Sequence, residues 1–388
     1  MIHSITARNL QSLANETTLN FTVGDRAARR NEGYAMTGDA NHLALVQALI
    51  GGNASGKTTM LRALALVQWI FTQSFRWGTD ELPVDGFAGS ERTRSKASEI
   101  AVLFELDGVM QEYTVKLNKE RVLSEVIVVR SLTNKRKTSK TVFAREWNAK
   151  DEKYTVKDSL FKFREDYWTS DELRTTSVIA AAAKFGNEKA TEFVKYWRKV
   201  RTNMDVDEGF IPYLYRSRWA LNRYQDDPKR RELAEEDVRR YDLGIQSFGK
   251  EGMILHKHGE STFELKIDKE SSGTQQFIAL KDTLDTVLEN GGVALIDELN
   301  AYLHPMMVEA IIKKFLDPSV NRGKGQLFFS THDLQVFNQL DPSQICLAEK
   351  DDMGVTTIKR FDSHPRLRPT DNYIKRYLAG QYGGKQRF

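Results

Sequence analysis

The sequence predicts an α/β fold: a parallel sheet buried on both faces, joined to an antiparallel β-portion and interrupted by a helical insertion. Three observations predict it. Leu43 to Ile50 is a nearly continuous apolar run that stops at Gly51 and Gly52 and leads into a proline-free helical stretch, Thr58 to Trp69. Two further short runs, Val293 to Ile296 and Gln326 to Ser330, have the same character and end on polar side chains. Runs of this kind mark strands covered by helices on both sides, and ligands gather at the carboxyl ends of such strands. Finally, Lys57 and Asp297 lie 240 residues apart, which leaves room for inserted structure between two halves of one site.

The amino-terminal lobe, residues 1–147, is built around the first of these runs. Gly51-Gly52-Asn53-Ala54-Ser55-Gly56-Lys57-Thr58 fits the pattern G-x-x-x-x-G-K-[ST] in its required strand–loop–helix setting. The glycines let backbone N–H groups turn toward a phosphate chain, and the helix start adds partial positive charge. Gly51, Asn53, Ala54, Ser55, Gly56, Lys57, Thr58 and Thr59 are therefore the expected nucleotide contacts. In this arrangement Lys57 reaches the β- and γ-phosphates and the Thr58 hydroxyl sits on Mg²⁺. Ile100 to Leu106, Glu112 to Leu117 and Val122 to Val129 read as strands of the β-portion, and Gly24 to Asn41, with Arg26, Arg29 and Arg30, reads as a polar loop.

Residues 148–244 change to helical character. Ser177 to Lys184 is alanine-rich, Thr191 to Val200 is amphipathic, and Lys229 to Tyr241 carries i,i+4 pairs such as Glu235–Arg239 and Glu236–Arg240. The block is too short and too irregular in its heptads for long coiled-coil arms.

The second lobe, residues 245–388, holds the remaining motifs. Ser271-Ser272-Gly273-Thr274-Gln275-Gln276 precedes a helix from Gln276 to Glu289; Ser272 reads as its N-cap, and Gly273 allows close backbone approach. The Val293 strand ends in Asp297-Glu298, where Asp297 would hold Mg²⁺ directly or through water and Glu298 would act as general base. His332 ends the next strand, placed to contact a γ-phosphate and to fix Glu298 and a water. Ile345 to Lys350 and Val355 to Phe361 form an expected hairpin.

Composition bounds the rest. A chain of 388 residues with 40% hydrophobic content can bury a large core in two or three lobes. One cysteine, Cys346, gives no disulfide framework, so a reducing cytoplasm is expected, and no secretory signal or apolar run near eighteen residues points to a membrane. The net charge of +4 is too small to argue for nucleic acid by itself. Its distribution says more: Arg366, Arg368, Lys375, Arg376, Lys385 and Arg387 crowd the tail, and Lys135-Arg136-Lys137 with Lys140 makes a further cluster. Lys195-Tyr196-Trp197-Arg198-Lys199-Val200-Arg201 interleaves cations with aromatics, as nucleic-acid or acidic-protein surfaces do, although such runs are more often solvated faces.

With these residues in view, the chain resembles the ABC-type ATPases of the RecF/OLD/SMC-related group, in particular the stand-alone OLD-like ATPases of bacterial antiphage and abortive-infection modules. Ile5 to Leu13, Gly51 to Thr59, Glu270 to Gln276, Ser330 to Asp333 and the tail Tyr373 to Gly384 carry the likeness, and Asp297 to Pro305, with its Leu303-His304-Pro305 ending, is the most group-specific stretch. The resemblance implies an ATPase head in which two copies, alone or within a larger assembly, sandwich ATP. Lys57, Thr58, Asp297 and Glu298 of one copy would face Ser272, Gly273 and Gln275 of the other. It also implies a separate effector, a nuclease or toxin, since only 56 residues follow His332. A RecF-like repair ATPase that binds DNA itself is the rival. A transporter subunit fits poorly with the long Lys57–Asp297 spacing. The Mg²⁺-sensing glutamine of such ATPases has no clear place, with Gln68 and Gln73 as candidates.

Overall fold

A computed structural model describes the chain except residues 25–27, 29–32, 38–41, 78–79, 131–137, 163–167, 207–208, 242–243 and 385–388. Arg26, Arg29 and Arg30 of the polar loop, Lys135-Arg136-Lys137, and Lys385 and Arg387 of the tail lie outside the described residues.

Two sheets dominate. A six-stranded sheet runs in the order Val200–Thr202, Val293–Ile296, Gln326–Thr331, Val46–Gly51, Ile345–Lys350, Thr356–Arg360. Its first four pairings are parallel and the last, the predicted hairpin, is antiparallel. A seven-stranded antiparallel sheet runs Lys153–Asp158, Ser139–Asn148, Val122–Arg130, Val109–Leu117, Ser98–Leu106, Ile2–Arg8, Thr17–Asn20.

The parallel strands feed two separate cores by strand alternation. Val293 and Leu295 enter one core, Ala294 and Ile296 the other. Phe328 likewise faces away from Leu327 and Phe329, and Leu49 away from Ala48 and Ile50. Burial on both faces is why these strands read as unbroken apolar runs.

The helix Lys57–Thr72 fills the space between the two sheets, and Met60, Leu61, Ala63, Leu64, Ala65, Leu66, Val67, Trp69, Ile70 and Phe71 are all buried. A helix apolar on all sides needs such enclosure. Burying each large side chain is worth about 1.5–3 kcal/mol, which outweighs the cap of about 1 kcal/mol that Gly56 cannot supply with a side chain. On the opposite face, Ser272–Asn290 and Pro305–Leu316 pack into the second core.

The stretch 148–244, expected as helical, is mixed. It holds the helices Val178–Lys184, Glu188–Trp197, Tyr213–Asp226 and Pro228–Tyr241, but Lys153–Asp158 is an edge strand of the antiparallel sheet and Val200–Thr202 an edge strand of the parallel one. Val200–Thr202 is recruited by Val293–Ile296, distant in sequence, whereas Lys153–Asp158 closes a tight hairpin with the preceding strand Ser139–Asn148. The cation–aromatic segment also divides: Trp197 is fully buried against Phe71 and Phe104, while Lys195, Arg198 and Lys199 are exposed. No described helix is long and apolar enough to cross a membrane.

Candidate nucleotide site

Four parallel strands end at one edge of the sheet, and each delivers a polar group there. Val46–Gly51 delivers the glycine loop, Val293–Ile296 delivers Asp297 and Glu298, Gln326–Thr331 delivers His332, and Val200–Thr202 delivers Asn203. The cleft above the loop has a volume of about 690 Å³ and is lined by Asn53 through Thr59, Glu298 and His332.

The loop backbone is held in a shape few residues tolerate. Ala54 has φ 58° and Gly56 φ 97°, and a side chain at Gly56 would run into Thr356. Thr356, fully buried, donates to Ser55 O at 2.9 Å and so pins the loop from the neighbouring hairpin. The tail contributes as well: the Gly384 carbonyl accepts from Gly52 N at 3.0 Å and from the Tyr377 hydroxyl at 2.6 Å.

Lys57 is largely buried, its ammonium donating to Gly51 O at 3.2 Å and Gly52 O at 3.1 Å. Burial holds it below the ordinary lysine value, opposed by the nearby Glu298 and Asp297 carboxylates. Its Nζ also lies 3.1 Å from His332 Nε2, which lies 3.2 Å from Glu298 Oε1. One ring nitrogen thus sits between a cation and a carboxylate. Bare, it accepts from Lys57; protonated, it donates to Glu298.

Thr58 Oγ1 donates to Asp297 Oδ2 at 2.9 Å, and Ser330 Oγ donates to Asp297 Oδ1 at 2.6 Å. Glu298 has φ 51°, a left-handed backbone that costs a non-glycine residue about 1–2 kcal/mol. Ser330 holds it there, accepting Glu298 N on its hydroxyl at 2.8 Å and Leu299 N on its carbonyl at 3.0 Å. Asn300 Oδ1 accepts from Thr331 Oγ1 at 2.8 Å and His332 N at 3.2 Å, joining the acidic and histidine strands.

Residues 46–338 match the family model described as "AAA domain, putative AbiEii toxin, Type IV TA system". The chain belongs to this family. No curated protein matches this AAA-domain chain. Among solved structures it is similar to the SMC head domain from Thermotoga maritima, at 14% identity over 92% of this chain and 98% of that one, with a TM-score of 0.44. It is also similar to an SMC head bound to the C-winged helix domain of ScpA, at 14% identity over 92% of this chain and 96% of that one, TM-score 0.43. A third is an SMC head with an extended coiled coil bound to the C-terminal domain of ScpA derived from Pyrococcus furiosus, at 13% identity over 92% and 95%, TM-score 0.42.

Not every anticipated residue of this AAA-domain chain gathers at the loop. Among the described residues, Ser272, Gly273 and Gln275 do not line the cleft. The cap of the helix they open is Ser271, whose Oγ accepts from Thr274 N at 3.1 Å, so Ser272 is the first helical residue rather than the cap. Gln275 turns inward and donates to Glu270 O at 2.9 Å. Gln68 and Gln73 line a different cleft. The glutamine beside the loop is Gln11, whose Oε1 accepts from Thr59 Oγ1 at 3.3 Å.

Sequence patterns assign no role to four residues that hold the site: Asn203 and Thr356, and, inside the quoted motifs, Ser330 and Asn300. Asn203 is fully buried and clasps the Asp297 backbone from both sides, accepting from its N at 2.8 Å and donating to its O at 2.7 Å. A three-residue strand precedes it, too short to announce itself by pattern.

Proposed function

We propose that the chain binds and hydrolyses ATP and acts as a two-state switch. The observation that carries this reading is the convergence of Lys57, Thr58, Glu298 and His332 on one cleft, with Asp297 bonded to Thr58 at its edge, linked by contacts of 2.9–3.2 Å. The donor set suits a magnesium nucleotide: a hydroxyl and a carboxylate oxygen meet at Thr58 and Asp297, with buried Lys57 beside them. Mg²⁺ held by these two residues would neutralise phosphate charge during transfer. Lys57 would bind the β- and γ-phosphates, with the N–H groups of Gly51 and of Asn53 to Thr59 as a cradle. Glu298 would take the proton of the attacking water as its oxygen bonds to the γ-phosphorus and the bond to ADP breaks. His332, shared between Lys57 and Glu298, would keep that carboxylate aimed at the water.

The second half of the site comes from another copy of the chain in this reading. Ser272 and Gly273 open a 19-residue helix whose start carries partial positive charge, suited to a γ-phosphate held across a dimer. Gln275, turned inward, would position that helix start rather than touch ATP. Closure on ATP and opening after hydrolysis would then govern a separate effector, a nuclease or toxin of an antiphage, abortive-infection module in the bacterial cytoplasm. The toxin–antitoxin wording of the family description agrees with that setting.

Glu298→Gln tests it. The variant should bind ATP, lose about 100-fold or more in hydrolysis and accumulate as a dimer with ATP and Mg²⁺. Pulled from its native host in that state, it should bring a stoichiometric partner with a nuclease or other toxic active site, identified by mass spectrometry. A fully active, monomeric Glu298→Gln protein would sink the mechanism.

A RecF-like repair ATPase that binds DNA itself is the second reading, favoured by the exposed Lys195, Arg198 and Lys199. It predicts hydrolysis stimulated by DNA with steep salt dependence. The burial of Trp197 removes the aromatic half of its motivation.

A further inference from the structure

A second cleft, of about 810 Å³, opens between the edge strand Val200–Thr202 and the helices Tyr213–Asp226 and Ser272–Asn290. Four arginines line it, Arg198, Arg201, Arg216 and Arg223, and Asp205 is the one carboxylate among its described lining residues. Arg216 is almost fully buried, and its Nη2 donates to the fully buried Gln276 Oε1 at 2.8 Å, which fixes the guanidinium in the cleft wall. Burial lowers Arg216 to about 10 and also depresses Arg201, which feels the like charge of Arg223, opposed by the Asp282 carboxylate, and then that of Arg230. Arg223 is steadied from the other side by Asp282. The indole of Trp219, 53% exposed, stands at the same cleft, which Thr283 also lines.

Arg198 and Arg201 share the cleft with two further guanidiniums, a concentration of positive charge that Asp205 and Asp282 offset in part and that an anion would relieve further. Guanidinium forks match phosphate oxygens in pairs, and an exposed indole offers a face to a planar ring. The volume lies within the 300–1,000 Å³ range of small-molecule sites. We infer that this cleft is a second binding site, for a ligand of the mononucleotide class, with its phosphate on the arginines and its base on Trp219. The position gives such a ligand a lever. Arg201 lies two residues before Asn203, which clasps Asp297, and Gln276 belongs to the helix that Ser272 begins.

Titration calorimetry of the full chain with ADP at low salt decides the matter by stoichiometry. The wild-type chain should bind two ADP, Lys57→Ala one, the Arg198→Glu/Arg201→Glu double variant one, and the combination none. In the Lys57→Ala background, Trp219→Ala should weaken ADP by about tenfold and leave inorganic triphosphate, which has no ring, unchanged. Arg198 and Trp219 are exposed and Arg201 is half-buried on the edge strand, so matching thermal melts are required to verify that these changes leave the core intact. One ADP per wild-type chain and none in Lys57→Ala overturns the site, as does a Lys57→Ala chain that binds single-stranded decathymidylate but not ADP. A single ADP kept by Lys57→Ala and lost in the double arginine variant upholds the site and removes the loop reading instead.

Discussion

The side chain of Asn203 directs both of its described hydrogen bonds at one residue. It satisfies both the N–H and the C=O of Asp297 across adjacent parallel strands, at 2.8 and 2.7 Å, where a ladder would otherwise continue. The geometry fixes the height of Asp297 above the sheet edge, and with it the Asp297–Thr58 contact. Truncation to alanine strands those backbone groups beside a buried pocket, at a cost of about 1–3 kcal/mol. We expect Asn203→Ala to lower stability by that amount in denaturant melts and to reduce ATP turnover more than ATP affinity. Turnover and midpoint both equal to wild type would show that the clasp is incidental. The same scale explains what sequence reading reached and missed. Lys57, Asp297, Glu298 and His332 stand in recognisable spacings beside apolar strands. Asn203 and Thr356 act through side chain–backbone bonds to partners 94 and 301 residues away, which no local pattern encodes.

At the scale of elements, the helix Val178–Lys184 is anchored by a buried polar knot. Ser177 caps it by accepting from Ile179 N at 3.2 Å and Ala180 N at 3.3 Å, while Glu125 of the antiparallel sheet accepts from Tyr113 Oη at 2.9 Å and Val178 N at 3.3 Å. Arg145, also fully buried, donates to Leu173 O and Thr176 O at 2.9 and 3.0 Å and lies 3.6 Å from the Tyr154 ring centre. Burial pushes the Glu125 carboxyl up, with Arg145 the strongest influence pulling it back. Replacing Arg145 with alanine removes the strongest influence opposing that upward push and strands the Leu173 and Thr176 carbonyls in the core. Leaving buried acceptors without their donor costs about 1–3 kcal/mol each, and thermal or chemical unfolding of Arg145→Ala should show a loss of at least that size; a variant equal to wild type would mean the knot is dispensable. Elements such as Val293–Ile296 were legible to the residue because burial on both faces leaves a contiguous apolar signature. The cation–aromatic segment misled for the opposite reason. Helical spacing sends Phe193 and Trp197 inward and Arg198 outward, so adjacent letters belong to different surfaces.

For the whole molecule, the decisive feature is that the loop cleft and the start of the helix Ser272–Asn290 do not share a lining among the described residues. If the working site is completed by a second copy, each half can be supplied by a different chain. Gly273→Asp would disable one half, since even a Cβ there meets Tyr302 O at 2.9 Å and a carboxylate would repel phosphate. Lys57→Ala would disable the other. Each variant alone should be inactive, because both sites of its symmetric dimer carry the lesion. Mixed in equal amounts, half of the dimers pair one variant with the other, and each of those contains one intact composite site. Hydrolysis should therefore return to about a quarter of the wild-type rate, the signature of a two-fold symmetric assembly. A site completed within one chain gives no recovery at any ratio. Titrating one inactive variant into the other thus separates the two architectures without knowledge of the effector.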